Sequence, residues 1–128
     1  YKHATADESV KKTFKCIGQA RNFDDLGLPS WMRRFNAKPV IINKSGEVYT
    51  GEVRGVRYLE IDILVGKWGL MARRGLLSLL PRYKDLDCEI GFVLQGHEDS
   101  ELPERILGGA RLPFVDPETA FVPWAPPS

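Results

Sequence analysis

The chain has 128 residues, of which 43% are hydrophobic and 27% are charged. This composition indicates a single globular domain and argues against a wholly disordered chain. Its 18 Lys and Arg residues against 17 Asp and Glu residues give a formal charge of +1, so nucleic-acid binding driven by overall charge is not expected. No uncharged apolar run approaches the roughly 20 residues of a membrane-spanning helix.

The ends of the chain differ in composition from its middle. Residues 1–12 are polar and lack the apolar core of a signal peptide, so we expect a mobile or extended leader. Because the first residue is Tyr1 and not Met, we expect an upstream segment to have been removed. The compartment is then open between the cytoplasm and an organelle such as a plastid. Residues 13–120 are predicted to form one domain and residues 121–128 a proline-rich, extended tail.

The N-terminal part of the domain predicts a strand and a short helix. Residues 13–20 alternate in polarity, which favours a strand. Asp24 and Asp25 are suited to cap a helix over residues 26–36, which Pro39 would terminate.

The clearest local pattern lies between residues 40 and 65. An apolar run at 40–42, a turn at 43–46 and strands at 47–54 and 56–65 predict an antiparallel meander. One face of the last strand is apolar and consists of Leu59, Ile61, Ile63 and Val65. The other face consists of Tyr58, Glu60 and Asp62.

The C-terminal part of the domain predicts one long helix, two strands and a short helix. The long helix spans about 67–80 and is apolar around most of its circumference, with a narrow polar stripe at Lys67, Arg74 and Ser78. Strands are predicted at 87–96 and 110–115, and Ser100 is expected to cap a short helix over 101–107 that Gly108 and Gly109 end. The predicted class is therefore α+β: a mainly antiparallel sheet, one long helix against it and one or two short helices.

Motifs for catalysis, cofactors and metals are not found, and we expect no enzyme, no cofactor and no metal site. There is no phosphate-binding glycine loop, and the His and Cys residues lack metal-ligand spacing. Glu60 and Asp62 share a strand face and would suit acid–base chemistry if His97 converged with them in a cleft. Cross-strand pairing with Arg54 or with Lys residues is the competing interpretation.

Two further patterns have a structural and a chemical interpretation. Cys16 and Cys88 are interpreted as free buried thiols, with one disulfide as the alternative. Residues 43–45 match a glycosylation sequon, but the same residues also explain a turn.

A basic stretch over residues 66–84 is the main candidate for a functional surface. It contains five cations and no acid, and we interpret it as a docking surface for an anionic membrane or a partner. The alternative is a core helix whose cations are solvated or paired with Glu98, Asp99 and Glu101. The candidate docking residues are Lys67, Trp68, Arg73, Arg74, Arg82, Tyr83, Lys84 and Trp124.

Two motifs resemble a known family. Residues 57–63, followed by a helix, and residues 101–108 resemble the two signatures of the C-terminal domain of the Enhanced Disease Resistance 2 family. Residues 90–95 resemble the strand between those signatures, and the likeness extends over about residues 13–122. The motif residues are Tyr58, Leu59, Glu60, Asp62, Leu102, Pro103, Glu104, Arg105 and Gly108.

The resemblance implies a non-catalytic module in a setting where membrane association recurs. It also implies a domain that is longer at its N-terminal side, so we expect an open sheet edge or apolar face that a partner covers. The leading hypothesis is docking onto a membrane surface, or onto a membrane-embedded assembly as a peripheral subunit. The runner-up is a lipid-binding cavity between the sheet and the long helix, lined by Trp68, Met71 and leucines. The tail, with Trp124, is either a partner-binding segment or a disordered terminus.

Overall fold

The structure is a computed structural model that describes residues 4–5 and 8–120. It contains seven strands: β1 (Ala4–Thr5), β2 (Phe14–Ala20), β3 (Pro39–Ile41), β4 (Gly46–Val53), β5 (Val56–Ile63), β6 (Asp87–Leu94) and β7 (Ile106–Pro113). The helices are α1 (Glu8–Thr13), α2 (Leu70–Leu79) and α3 (Pro117–Ala120). Short 3₁₀ turns cover Phe23–Leu26, Ser30–Phe35, Val65–Lys67, Leu80–Asp85 and Asp99–Glu101. The α+β class predicted from the sequence is confirmed.

The strands form two antiparallel sheets. The four-stranded sheet has the order β3-β2-β6-β7, and the three-stranded sheet has the order β1-β4-β5. In the four-stranded sheet, Phe14 lies beside Phe92 with ring centroids 5.6 Å apart, on the face that also carries Ile90 and Leu94. The strand predicted over residues 87–96, with alternate side chains on opposite faces, is therefore confirmed.

The β4–β5 hairpin follows directly from local sequence chemistry. Its two-residue turn is Arg54-Gly55, with φ of +52° and +80°. Positive φ at both central residues matches the right-handed twist of the paired strands. The register places Ile61 opposite Val48, which is almost fully buried. Ile61 and Ile63 of the predicted apolar face are half-buried, whereas Leu59 and Val65 of the same face are exposed.

Two asparagines connect the segments outside the sheets to β2 and β6. The Asn36 side chain accepts a hydrogen bond from the Ala20 N–H (2.7 Å) and donates one to the Ala20 carbonyl (3.0 Å). Asn22 accepts from the Asp87 N–H (3.0 Å) and donates to the Asp85 carbonyl (2.8 Å). These bonds satisfy backbone groups where the chain leaves the sheet.

The predicted three-strand meander is wrong in its first strand. The turn at residues 43–46 is present, since the N–H groups of Ser45 and Gly46 donate to the Ile42 carbonyl at 3.2 and 2.7 Å. However, β3 pairs with β2 and not with β4, so the turn joins two sheets. Ile42, directly before the turn, is buried, and this anchors the crossing.

The single helix predicted over residues 26–36 is replaced by two 3₁₀ turns. Gly27 adopts a left-handed φ of +60° and ends the first turn, and Pro29 precedes the second. Likewise, residues 8–13 form α1, where the sequence had predicted a mobile or extended leader.

The helix predicted over residues 101–107 does not form. The 3₁₀ turn Asp99–Glu101 is capped by Glu98 and not by Ser100, and Leu102 is already extended. A residue before proline avoids the helical region, so Pro103 prevents the helix from starting. Gly108 and Gly109 lie inside β7, which starts four residues earlier than the strand predicted at 110–115.

Helix α2 begins at Leu70, three residues later than predicted, and Pro81 follows its end. Its buried residue is Gly75, where an added Cβ would lie 3.6 Å from Met32 Cε and 3.7 Å from Trp31 Cη2. The helix therefore packs closely on the 3₁₀ turn Ser30–Phe35. Within the described part of the chain, no helix has the length and apolar character needed to cross a membrane.

Candidate docking surface

The exposed side of α2 combines leucines with arginines. Leu70, Arg73, Arg74 and Leu77 have the spacing i, i+3, i+4, i+7, which places them on one helix face. All four side chains are exposed, with Leu70 at 57% and Leu77 at 63%. We call these four residues the α2 stripe. Gly75 lies on the opposite side, so its close packing turns the stripe outward.

The wheel read from the sequence located the polar side differently. It gave a narrow polar stripe of Lys67, Arg74 and Ser78 on a mostly enclosed helix, but Lys67 precedes the helix and Ser78 is half-buried. Ser78 donates to the carbonyl of Arg74 at 2.9 Å. The difference arises because an apolar helix gives no internal indication of which side meets the protein.

The cations of the α2 stripe have no acidic partner among residues 8–120. Arg73 and Arg74, and also Arg82 and Lys84, form no ion pair there. The interpretation that pairs these cations with Glu98, Asp99 and Glu101 is therefore not supported. Glu101 instead accepts the backbone N–H groups of His97 (2.7 Å) and Glu98 (3.1 Å).

Lys67 differs from the other cations of this region. Its Nζ lies 2.7 Å from Oε1 of Glu47 on β4, and this hydrogen bond is the main reason that the pKa of Glu47 is lowered. Tyr49 donates to the other Glu47 oxygen at 2.6 Å, which raises the pKa of Tyr49 to about 12. Lys67, in the 3₁₀ turn before α2, thus pairs with the three-stranded sheet and remains half exposed.

The predicted aromatic members of the surface that the structure describes are both half-buried. Trp68 is half-buried at the start of α2. Tyr83 is also half-buried, and burial, together with the Cys88 thiol, raises its pKa. Trp124 lies outside the residues that the structure describes.

A second basic and aromatic cluster lies beside α2. In the turn Ser30–Phe35, the Arg34 guanidinium lies 4.7 Å from the centroid of the Phe35 ring, and Trp31 contacts the same ring edge-on. Phe35 is exposed, and Trp31 also lies under Gly75. The candidate docking residues predicted from the sequence did not include this cluster, because Gly75, the packing partner of Trp31, is distant in sequence.

The residues considered for acid–base chemistry lie on different parts of the fold. Glu60 and Asp62 lie on β5 opposite Tyr49 and Glu47, so the prediction that they share a face is confirmed. His97 lies in the loop after β6 and lines an open pocket of about 580 Å³ that neither carboxylate lines.

The described pockets also bear on the predicted lipid cavity. A groove of about 300 Å³ crosses β2, β6 and β7 over Gly91 and Gly109, and the 580 Å³ pocket lies under the loop after β6. Trp68, Met71 and the α2 leucines line neither of them. These two openings therefore do not match the cavity expected between the sheet and the long helix.

The cysteines are free thiols. Cys16 pairs in register with Phe92, whereas Cys88 pairs with Ala20, so the two lie four residues apart along neighbouring strands. This offset is about 13 Å, well beyond the Cα separation that a disulfide tolerates. Burial raises the pKa of both thiols and keeps them protonated at neutral pH.

The family-motif residues have identifiable structural roles. The ring of Tyr58 covers Gly51 on the paired strand so closely that a Cβ at position 51 would overlap it. Glu104 accepts Lys15 Nζ (2.6 Å) and the Gly96 N–H (3.0 Å), and the Lys15 hydrogen bond is the main reason for its lowered pKa. Glu104 thereby fastens the loop between β6 and β7 to β2. The other seven motif residues are exposed: Leu59, Glu60, Asp62, Leu102, Pro103, Arg105 and Gly108.

Comparison with known proteins agrees with this assignment of motifs. The family model described as "Protein ENHANCED DISEASE RESISTANCE 2, C-terminal" matches residues 2–116. A curated Arabidopsis thaliana protein, "Protein ENHANCED DISEASE RESISTANCE 2-like", is 33% identical over 97 residues, which cover 73% of this chain and 13% of that protein. The chain thus spans a small part of this relative's length, and no solved structure matches. The matched residues include both sequence motifs and the strands between them, and the chain belongs to the Enhanced Disease Resistance 2 C-terminal domain family.

Proposed function

We propose that this chain is a non-catalytic module that docks onto an anionic membrane surface through the α2 stripe. The observation that carries the proposal is the exposed Leu–Arg–Arg–Leu face, on which two leucines flank two arginines that have no acidic partner among residues 8–120. Leucines at such a face bury in the outer part of the bilayer while the guanidinium groups meet lipid phosphates.

The expected binding free energies indicate that the α2 stripe contributes more to membrane binding than the net charge of the protein does. An arginine near an anionic leaflet contributes about 1 kcal/mol, and burying a leucine contributes about 1.5–3 kcal/mol. The net charge of +1 attracts little by itself, so the location of the cations decides the contact. Membership of a family in which membrane association recurs supports the same conclusion.

Vesicle sedimentation tests this proposal with a charge-matched control. We expect R73E/R74E to bind vesicles containing phosphatidylserine at least tenfold more weakly than the unaltered chain, since two attractive charges of about 1 kcal/mol each become repulsive. L70S/L77S should weaken vesicle binding without changing the charge of the protein. Added salt should weaken the vesicle binding of the unaltered chain, because it screens the arginine charges.

The control variant K38E/K44E changes the net charge by the same amount but lies outside the stripe, in the segments flanking β3. It should bind nearly as well as the unaltered chain. If the unaltered chain stays in the supernatant at low salt, or if the control loses as much binding as R73E/R74E, the docking proposal is wrong.

A second candidate is a peripheral subunit of a membrane-embedded assembly. It is favoured by β5, the outer strand of the three-stranded sheet, where Val56 and Leu59 are 68% and 52% exposed. An outer strand with exposed apolar side chains is suited to a protein partner more than to a lipid headgroup.

A further inference from the structure

Strand β7 is an open edge of the four-stranded sheet. It pairs with β6 on one side and is the last strand in the sheet order of the described residues. All eight residues from Ile106 to Pro113 are exposed. The strand carries no lysine, and its one arginine, Arg111, is held by Asp87 through two hydrogen bonds of 2.8 Å. An apolar edge of this length without charged protection favours pairing with another strand.

The hydrogen-bond pattern identifies which groups point outward. The N–H of Phe114 donates to the Leu86 carbonyl, so Leu112, Ala110 and Gly108 direct their backbone groups to β6. Gly109 and Arg111 therefore direct theirs to the open edge. Pro113 also faces outward, where its missing N–H breaks no bond within the sheet.

The occupant of this edge is a second copy of the chain, we propose, paired antiparallel through a two-fold axis at Ala110. In this register Gly109 lies opposite Arg111 of the other copy, and each exchanges N–H and C=O groups with its partner. An axis at Arg111 would place two arginines opposite each other, which is unfavourable. An axis at Gly109 would place Arg111 opposite Leu107. Leu107 lies at the register shift between β6 and β7, so regular pairing at this position is not expected.

Side-chain size selects the same register. The axis at Ala110 places Leu112 of each copy opposite Gly108 of the other. A Cβ built at Gly108 has no atom within 4 Å, so the space above it is open, and Leu112 is 44% exposed. Leu112 would fill this space beside Phe92, which pairs with Gly108 on β6. The large and small residues of β7 are thus complementary to themselves, and the product is one continuous eight-stranded sheet.

Analytical ultracentrifugation of the 128-residue chain tests the inference. We expect the mass to double from the 14.4 kDa of one chain as concentration rises. A110K, which places two like charges at the axis, should return the protein to a monomer. A72K, with the same charge change on exposed α2, should still dimerise.

A paired set of variants keeps the test independent of charge. G108L fills the open space and should dissociate the dimer, whereas G108L/L112G exchanges the large and small residues and should restore it. Circular dichroism checks that each variant is folded. A chain that is monomeric at every concentration, or a dimer that A110K and G108L leave intact, would overturn the inference.

Discussion

At the scale of single residues, Asp87 is the one charged side chain that is buried among the described residues. It is 8% exposed, accepts two hydrogen bonds from Arg111 at 2.8 Å, and lies 3.4 Å from Arg21. The Arg111 hydrogen bonds are the main reason that the pKa of Asp87 is lowered. The pair joins the start of β6 to the end of β7, so it determines how firmly the edge strand is held.

We predict that D87N lowers the melting temperature by several degrees at neutral pH, because the amide cannot accept both Arg111 hydrogen bonds. Because the pKa of Asp87 is lower in the folded state, its ionised carboxylate stabilises the fold at any pH above the unfolded-state pKa of about 3.9. This stabilisation is lost as the pH falls from there through the folded-state pKa. The difference between the two proteins should therefore shrink toward pH 3 in thermal melts.

E89Q is the matched control, since Glu89 lies on β6 with Asp87 and pairs with Arg21 at 2.6 Å, but is more exposed than Asp87. An exposed pair contributes little, so this variant should melt close to the unaltered chain. Equal melting of D87N and the unaltered chain at pH 7 would contradict the assigned role.

At the scale of elements, the orientation of α2 depends on one small residue. Gly75 faces Trp31 and Met32. A Cβ built at Gly75 would lie 3.6–3.7 Å from the nearest atoms of these two side chains, which is an ordinary van der Waals contact distance. The stripe faces outward because the opposite side of the helix is the side that packs. Alanine fits this space, whereas a large side chain would push the helix away.

We predict that G75A raises the free energy of unfolding by about 0.5–1 kcal/mol, because alanine favours the helical backbone and no atom must move. Urea unfolding measures this change. G55A provides the contrast: its φ of +80° disfavours a side chain, so it should lower the same free energy by about 1–2 kcal/mol. A loss of stability in G75A would mean that α2 packs more tightly than described.

At the scale of the whole molecule, each of the two sheets has an outer strand that exposes apolar side chains. The outer strands β5 and β7 both expose large apolar side chains, and α2 adds Leu70 and Leu77. These three surfaces are suited to different contacts: a helix face with cations to a membrane, and strand edges to other strands.

We predict that the β5 edge and the α2 stripe bind separately. In a pull-down from detergent-solubilised membranes of the source organism, V56D/L59D should lose a stoichiometric membrane-protein partner that R73E/R74E retains. The reason is that carboxylates on β5 prevent burial of that edge without altering the helix. Recovery of the same partner by both variants, or of none by the unaltered chain, would contradict the subunit candidate.

Much of the fold was predictable from the sequence, because a strand's period of two residues and a turn's need for positive φ are local properties. The alternation of Leu59, Ile61 and Ile63, and the turn at Gly55, follow from such rules. The helix expected over residues 101–107 failed because the effect of Pro103 on Leu102 outweighs an apparent capping pattern.

The tertiary structure alone decided which strands pair and which side of α2 is free. Nothing local distinguishes β2 from β4 as the partner of β3, because that choice depends on contacts between residues far apart in the chain. In the same way, a helix with leucines around most of its circumference has no unique buried side until Gly75 meets Trp31. The composition of the basic stretch was thus fixed by the sequence, but its exposure was fixed by packing.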